Sequence, residues 1–302
     1  MQSGKAAATA AHFLGTGDRA AVLESWKEGV RMDARRPQQL RELTVEFPVP
    51  TDRNQAVVTL GQTVVAASVV VELVEPSPFG ANLGFFDVNV RGPDAGASGA
   101  QRSPLLVEVR TAVDAILRGG GAVDTESLCV LPGRYVWSVS LTLTILSDAG
   151  NAVDAAAWAA VAALRHARRS DLTVTNDTVI AHTARERDPV PLAMHHVPIT
   201  VSAAVLPDGF VIDPTTAEAG AAACCVTVGL TPSMQVCAVH KRSGAPCDYA
   251  TIQAVLAVAK NVVCGVDEVM TAAMAADETK RKEAARARFE WARKRTGVSR
   301  KE

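Results

Sequence analysis

Few residues have the types and spacing that could support chemistry. Asp213 and Glu218 lie close together in the segment DPTTAE, and two neighbouring carboxylates can bind a metal ion or act as general acid and base. Aspartate is also frequent in turns, because its side chain hydrogen-bonds the local backbone. The pair therefore gives a weak hypothesis of a metal or acid–base site, with an ordinary turn as the alternative.

Two adjacent histidines, His195 and His196, form a second candidate. Neighbouring residues on a strand point to opposite faces, so the two rings are poorly placed to bind one ion. The glycine triplet at 119–121 could wrap around a phosphate, but it follows a predicted helix, whereas anions bind where helices begin. We interpret the histidines as one core and one surface residue, and the glycines as a helix terminator.

Common catalytic and metal-binding signatures are absent from the sequence. It contains no phosphate-binding P-loop, no H-E-x-x-H and no G-x-S-x-G motif. It has six cysteines, but no two have the C-x-x-C spacing of a zinc site, and most lie in apolar runs where a thiol packs as a small hydrophobe. From these patterns we expect no metal site and no cofactor.

Composition limits the class of protein. The chain has 302 residues, of which 48% are hydrophobic and 21% charged, and its net charge is −1. These values are typical of a globular protein with a sizeable core, and any RNA contact must come from a local basic patch. No signal-peptide pattern begins the sequence, and no uncharged apolar run reaches the roughly 20 residues of a membrane span. We expect a protein of a reducing compartment with no membrane partner.

The elements that must position these residues begin with an alanine-rich stretch. Residues 1–30 are predicted to form a helical extension, with Asp18 as the N-cap of a helix that ends near Gly29. A charged segment then crowds four arginines together: Arg31, Arg35, Arg36 and Arg41. We interpret this segment as a solvated connector, with contact to RNA or to a partner protein as the alternative.

Hydrophobic periodicity predicts the rest of the fold. Val-, Thr- and Phe-rich runs over 43–92 predict strands, and apolar spacing predicts a helix over 102–118. A second cycle follows, with a helix over 152–169 that is apolar on nearly all sides and is therefore expected to be buried. The order predicts an α+β fold in which mixed sheets pack with helices as duplicated β-β-α units. We place this single domain at 31–276.

The last segment, 277–302, is predicted to be a basic C-terminal helix or tail. It follows a helix predicted from about Tyr249 to Ala275, and residues 280–301 contain ten Lys or Arg and two Glu. Such a segment can bind RNA, and a solvated helix end is the alternative.

Several motifs occur together that are typical of one family. They are RMDAR at 31–35, LGQTVV at 60–65, a G-x-x-x-F-x-V-like stretch at 83–90, DTESLCV at 124–130, SDAGNAVDAA at 147–156 and ERDPVPLAMHHVPI at 186–199. With them, the chain resembles the ribonuclease PH family from about residue 31 to 275, and within it the ring subunits of the RNA exosome. Ala34 departs from the family's usual R-x-D-G-R, which has glycine at that position.

The resemblance implies what an active site would require. Active members cleave the 3′ end of RNA with inorganic phosphate, which a Gly-[Ser/Thr]-Arg loop holds at the start of a helix. The matching loop at 150–154 reads Gly-Asn-Ala-Val-Asp, so the arginine is missing and Asp154 would repel phosphate. The two aspartates of active members match Ala219 and Cys225, if Asp213 and Glu218 are aligned with the family's L-D-x-x-x-x-E motif. The resemblance therefore implies a subunit with no catalytic residues.

The resemblance also implies where RNA would be contacted. Inactive archaeal relatives guide RNA with two arginines on the helix before the D-x-E-x-L-C motif, and these positions match Thr111 and Ala115. Arg110 lies one step away, Arg118 follows, and Arg102 matches an arginine of relatives. We therefore name Arg102, Arg110 and Arg118 as candidate RNA-binding residues, with ordinary solvated arginines as the alternative.

A ring subunit implies a set of partners. We expect a structural, RNA-channelling subunit that supports 3′–5′ RNA processing and degradation, and that pairs with a ribosomal RNA-processing protein 41-like chain. Three such pairs would close a six-membered ring, to which cap subunits and a hydrolytic nuclease attach. The expected location is the nucleus and nucleolus, and also the cytoplasm. The alternatives are a phosphorolytic 3′–5′ exoribonuclease and a free-standing RNA-binding protein.

Overall fold

A computed structural model describes residues 15–48, 53–92, 103–175, 178–184, 186–242 and 244–296. The first of two main sheets contains six strands, which are β1 (Leu43–Glu46), β2 (Gln55–Leu60), β3 (Thr63–Val74), β4 (Phe85–Arg91), β5 (Cys129–Leu131) and β6 (Tyr135–Ser147). Their order is β1-β2-β3-β6-β4, and β5 pairs with β6. All pairs are antiparallel except β4 with β6, which makes the sheet mixed.

The remaining strands form a second main sheet and two small ribbons. The ribbons pair β7 (Arg168–Arg169) with β10 (Val190–Pro191), and β8 (Leu172–Thr175) with β9 (Thr178–Ala181). The second sheet is antiparallel, in the order β12-β11-β13-β14, and consists of β11 (Ile199–Leu206), β12 (Gly209–Ile212), β13 (Cys224–Leu230) and β14 (Val236–Lys241). The prediction of an α+β fold with mixed sheets and packed helices is therefore confirmed.

Five α-helices lie within the described residues. They are α1 (Thr16–Lys27), α2 (Pro104–Asp114), α3 (Ala152–His166), α4 (Thr216–Ala221) and α5 (Tyr249–Thr296). The residue that caps α1 is Gly15 and not Asp18, which lies in the first turn. A π-helical turn, Ala115–Gly119, extends α2 and is capped by Gly120, so the glycine triplet ends this helix as predicted.

Helix α3 is the centre of the molecule. All its residues except Arg165 are buried, which confirms the burial predicted from its apolar surface. It packs against β2 and β3 of the first sheet and against β11 of the second. The indole of Trp158 donates a hydrogen bond of 3.0 Å to the Thr200 carbonyl oxygen of β11. One hydrophobic core therefore spans both sheets.

Helix α5 continues from Tyr249 past Ala275, where the predicted apolar helix ends, into the segment predicted as a basic helix or tail, and it ends at Thr296. Its Tyr249–Ala287 part is long and apolar enough to cross a membrane, judged by length and composition alone. Val255, Val263 and Met270 of this helix are, however, fully buried in the core that α5 forms with β1, β11 and β13. Core packing therefore covers only part of that apolar stretch, of which 22% is buried.

Candidate functional site

The site includes Arg31, a buried arginine in the loop between α1 and β1. We call this loop, residues 28–42, the N-terminal loop. The Arg31 side chain donates two hydrogen bonds to the Glu218 carboxylate, at 2.7 and 2.6 Å. It also donates to the carbonyl oxygens of Ile212 and Asp213, both at 3.1 Å. Glu218 in turn accepts from the Thr215 amide in the capping box that starts α4. This pair therefore fixes the N-terminal loop to the start of α4.

Two further arginines donate hydrogen bonds to Asp213. Its carboxylate is fully buried and accepts hydrogen bonds from Arg35 at 2.9 Å and from the Arg41 guanidinium at 2.9 and 2.7 Å. Burial alone would raise the pKa of Asp213, but hydrogen bonds and charge from Arg41, with a bond from Asn151, outweigh it and lower that pKa. The prediction that the arginine-rich segment is a solvated connector is therefore wrong for Arg31, Arg35 and Arg41.

The loop before α3 has an unusual backbone. Gly150 and Asn151 have φ angles of 102° and 57°, in the left-handed region, and a side chain on Gly150 would overlap the backbone at Thr215 and Thr216. This conformation aims the Asn151 amide at two carboxylates. It donates hydrogen bonds of 2.9 Å to both Asp213 and Asp154. Asn151 therefore links the arginine cluster to the interior of the molecule.

Asp154 points into the space between α3 and the second sheet. It is fully buried and accepts hydrogen bonds from the Ser202 amide at 2.7 Å and the Ser202 hydroxyl at 2.9 Å. That hydroxyl lies 2.7 Å from the Thr227 hydroxyl of β13. Burial raises the pKa of Asp154, although hydrogen bonds from Asn151 and Ser202 oppose the shift. Asp154 therefore connects α3 to the second sheet.

Ala219 and Cys225 lie where α1 packs onto α4. Ala219 is half-buried, Cys225 is buried, and both belong to a small hydrophobic cluster that includes Val22 of α1. Burial raises the pKa of the Cys225 thiol, despite the opposing charge of Arg242. These two positions therefore offer a methyl group and a protonated thiol.

An ion pair lies beside Cys225. The guanidinium of Arg242 contacts the carboxylate of Glu108, which α2 supplies, and the Arg242 amide donates to the Cys225 carbonyl at 2.9 Å. Burial acts to lower the pKa of Arg242, but its bonds and attraction to Glu108 outweigh burial and raise it. Arg242 and Glu108, the two charges described beside Cys225, therefore pair with each other.

The adjacent histidines do not form a joint site. The side chain of His195 is 59% exposed and lies 3.5 Å from Asp124. His196 is half-buried, and burial, followed by repulsion from His195, lowers its pKa. Within the described residues no group of three or more His, Cys, Asp or Glu is placed to hold a metal ion.

The three candidate RNA-binding arginines are placed differently. Arg102 lies outside the described residues. Arg110 on α2 is 59% exposed and 3.8 Å from Asp87 of β4. Arg118 is 49% exposed, pairs with Asp114 at 2.8 Å and donates to a β4 carbonyl at 2.7 Å. Arg110 and Arg118 therefore both lie beside β4, the last strand in the order of the first sheet, and their contact with RNA stays a prediction.

Sequence reasoning missed several polar residues of the site. Ser202 and Thr227 lie in strands that are otherwise almost wholly apolar. A polar residue on the buried face of such a strand is a usable signal, because it requires a hydrogen-bond partner. The partnership of Glu108 with Arg242 joins residues far apart in the chain, and no local pattern indicates it.

Family comparisons agree with the fold. Residues 39–170 match the model of the 3′ exoribonuclease family, domain 1, and residues 196–262 match domain 2 of that family. The chain belongs to this family, which is the ribonuclease PH family of RNA-processing proteins.

Among named relatives, the chain is similar to exosome complex component RRP45. It is 33% identical to the Homo sapiens protein over 271 residues, which are 88% of this chain and 61% of the relative. It is 40% identical to RRP45A of Arabidopsis thaliana over 220 residues, 70% of this chain and 71% of the relative. For Schizosaccharomyces pombe rrp45, the identity is 30% over 86% of this chain and 90% of the relative. The chain thus spans about three fifths of the length of the human relative.

Solved structures support the fold alone, because their identities are low. An archaeal exosome core chain has a TM-score of 0.69 and 23% identity, covering 84% of this chain and 96% of its own. Rrp46 of rice (Oryza sativa) has a TM-score of 0.59 and 16% identity, covering 81% of this chain and 100% of its own.

Proposed function

We propose that this chain is a non-catalytic ring subunit of an RNA exosome, which supports 3′–5′ RNA processing and degradation without cutting RNA itself. Its similarity to exosome complex component RRP45 over most of its length supports the place in an exosome. The single observation that carries the loss of catalysis is the ion-pair network around Asp213. In it, the buried arginines and carboxylates neutralise one another.

A phosphate site needs unpaired donors with positive charge. Asp33, Asp213 and Glu218 supply three carboxylates to the three arginines Arg31, Arg35 and Arg41. The loop before α3 supplies the amide of Asn151, which already has two carboxylate acceptors. A phosphate dianion would therefore have to displace a carboxylate from a buried pair, which is costly.

The two positions that match the aspartates of active members, Ala219 and Cys225, also lack the carboxylates that acid–base or metal chemistry would need. Ala219 has no titratable atom, and the raised pKa of Cys225 keeps its thiol protonated at neutral pH. The nearby Glu108 is paired with Arg242. These residues support the absence of phosphorolysis by this chain, which argues against the alternative of a phosphorolytic exoribonuclease.

We infer that the chain pairs with a ribosomal RNA-processing protein 41-like subunit, and that three such pairs close the ring. Cap subunits and a separate hydrolytic nuclease would complete the assembly in the nucleus, nucleolus and cytoplasm. Arg110 and Arg118 beside β4 are then candidates for guiding RNA, together with Arg102. The exposure of Arg110 and Arg118 supports that role.

Native mass spectrometry of the tagged protein, purified from its own cells, tests the ring. We expect a stoichiometric complex that contains five other ribonuclease PH-like chains. Recovery as a monomer or a homo-oligomer would contradict the ring and favour a free-standing RNA-binding protein.

A second experiment tests the loss of catalysis. The purified chain is incubated with 5′-labelled RNA, Mg²⁺ and inorganic phosphate, with an active archaeal exosome core as the positive control. We expect no release of nucleoside diphosphate and no shortening of the RNA. Phosphate-dependent shortening that follows the protein through further purification would show that the chain is an enzyme.

A further inference from the structure

Helix α5 extends past the part of the protein that packs around it. Of the helix side chains whose burial the structure describes, which run to Ala287, Arg281 is the last that is half-buried, and those from Lys282 to Ala287 are exposed. The helical backbone continues to Thr296. We call residues 282–296 the basic arm. At 1.5 Å per residue, such a helix extends roughly 20 Å.

The basic arm has a charge opposite to that of the rest of the chain. Its residues include six Lys or Arg and two Glu, a net charge of +4. Because the whole chain carries −1, the other residues sum to −5 (−1 − 4). Such a separation of charge focuses positive potential on one element, which attracts polyanions.

The body of the protein adds positive charge where the basic arm begins. Arg168 lies close to Arg53 and Arg281, and the pKa of Arg168 is lowered, first by burial and then by repulsion from Arg53. Arg53 pairs with Glu278 at 2.9 Å, and Arg281 pairs with Asp277. Arg53 and Arg168 therefore lie next to the place where the basic arm begins.

The exposed first turns of the basic arm, at 282–287, fit a phosphate backbone better than a protein surface. The exposed side chains at 282–287 belong to Lys282, Arg286, one Glu and three Ala, without a large apolar residue. A helix that docks in a protein groove usually presents an apolar stripe, whereas a phosphodiester backbone needs mainly cations. The sequence of the arm also places Phe289 and Trp291 among arginines, a composition typical of segments that stack with unpaired bases.

We propose that the basic arm, with Arg53 and Arg168 at its base, is a binding surface for single-stranded RNA, separate from Arg110 and Arg118. This surface goes beyond the role in the ring, because it would bind RNA in the isolated full-length chain. Contacts to phosphate make the binding sensitive to salt and largely independent of RNA sequence.

The test compares two variants of the full-length chain with equal loss of charge. The arm variant carries Lys282→Gln, Arg286→Gln, Arg293→Gln and Lys294→Gln. The control variant carries Arg19→Gln, Lys27→Gln, Lys241→Gln and Lys260→Gln, all at exposed positions outside the arm. Binding of a fluorescein-labelled 20-nucleotide oligouridylate is followed by anisotropy between 50 and 300 mM NaCl. Circular dichroism verifies that both variants keep the helix content of the natural protein.

For the arm variant, we expect the Kd to rise at least about tenfold at 100 mM salt, and the slope of log Kd against log salt to fall by about 3, or roughly 0.7 per lost contact. The control variant should bind like the natural protein.

Equal Kd and slope in both variants, or no RNA binding by the natural protein at 50 mM salt, would overturn the proposal. Retained RNA binding with loss of a ring partner in native mass spectrometry would instead identify the arm as a protein contact. Failure of the natural protein to assemble would count against the ring and not against the arm.

Discussion

At the residue scale, the site depends on a charge that is stable only because of its partners. A buried carboxylate such as Asp213 loses its hydration, and donors must replace the lost water. Arg35, Arg41 and Asn151 supply those donors from the N-terminal loop and from the start of α3. Asp213 therefore holds together three segments that are far apart in the sequence.

Replacing Asp213 with asparagine should expose this dependence. The change leaves Arg35 and Arg41 half-buried without their shared counter-charge, so the free energy of unfolding should fall by about 3–5 kcal/mol. Urea denaturation followed by circular dichroism measures the fall. Asp171→Asn, which breaks a surface pair with Arg187, is the control and should leave the midpoint unchanged. Equal midpoints for both variants would show that the buried network does not stabilise the fold.

His166 should make stability depend on pH. It is buried, with Nε2 at 2.9 Å from Asp277 and its ring 4.2 Å from that of Phe47. Burial lowers the pKa of His166, although Asp277 opposes the shift. The unfolded chain therefore binds this proton more tightly, so the stability contributed by neutral His166 is complete above about pH 6.5 and is lost as the pH falls below it.

The measurement is the Tm between pH 8 and pH 5.5. We expect the natural protein to lose Tm as the pH falls below about 6.5, and His166→Gln to show a flatter profile in that range. His195→Gln is the control, since that side chain is 59% exposed, and its profile should follow that of the natural protein. A decline of the same size in His166→Gln would assign the pH dependence to other groups.

The arginine-rich segment shows what local sequence cannot reveal at this scale. A run with Arg31, Arg35, Arg36 and Arg41 is typical of a solvated surface, and the sequence prediction followed that pattern. The acids that bury three of these arginines lie more than 170 positions later. Only the chain reversal that brings β12 and α4 to this loop determines their burial, and no local pattern contains it.

At the scale of elements, the loop that starts α3 tolerates little change. Gly150 has a φ of 102°, and a Cβ there would overlap the backbone of the segment that leads into α4. Gly150→Ala should therefore lower the free energy of unfolding by about 3 kcal/mol. Urea denaturation again measures it, with Gly119→Ala as the control. No atom lies within 4 Å of a Cβ at Gly119, and that variant should match the natural protein. A small effect of Gly150→Ala would mean that this loop can rearrange.

Elements with a strong pattern were predictable and the others were not. The apolar surface of α3 required burial on every side, and the structure provides it between two sheets. For the residues after Ala275 the sequence predicts a basic helix or tail without deciding between them, because their apolar periodicity is weak. The structure continues the helix to Thr296. Helix propensity and charge spacing maintain that helix beyond its packing partners.

At the scale of the whole molecule, physical patterns and family resemblance contributed differently. Alternating strands and helices predicted the α+β class, but only the matching motifs indicated the ribonuclease PH family. A role in a ring depends on surfaces that meet other chains, and the residues of one chain do not reveal those surfaces. Arg110 and Arg118 illustrate this, because both are exposed and partly paired with acids. Their role depends on whether an assembled ring directs RNA past β4.

Replacing Arg102, Arg110 and Arg118 together with glutamine should weaken the protection of RNA by the assembled ring. The side chains of Arg110 and Arg118 are 59% and 49% exposed, so the ring itself should still form in this variant. Nuclease protection of RNA threaded through the reconstituted ring measures the effect, and its salt slope should fall by up to about 2 for three lost phosphate contacts. A ring with Arg19→Gln, Lys27→Gln and Lys260→Gln is the control and should protect RNA like the natural ring. Unchanged protection in the first variant would remove these arginines from the RNA path, and failure of the ring to form would identify them as part of an interface between subunits.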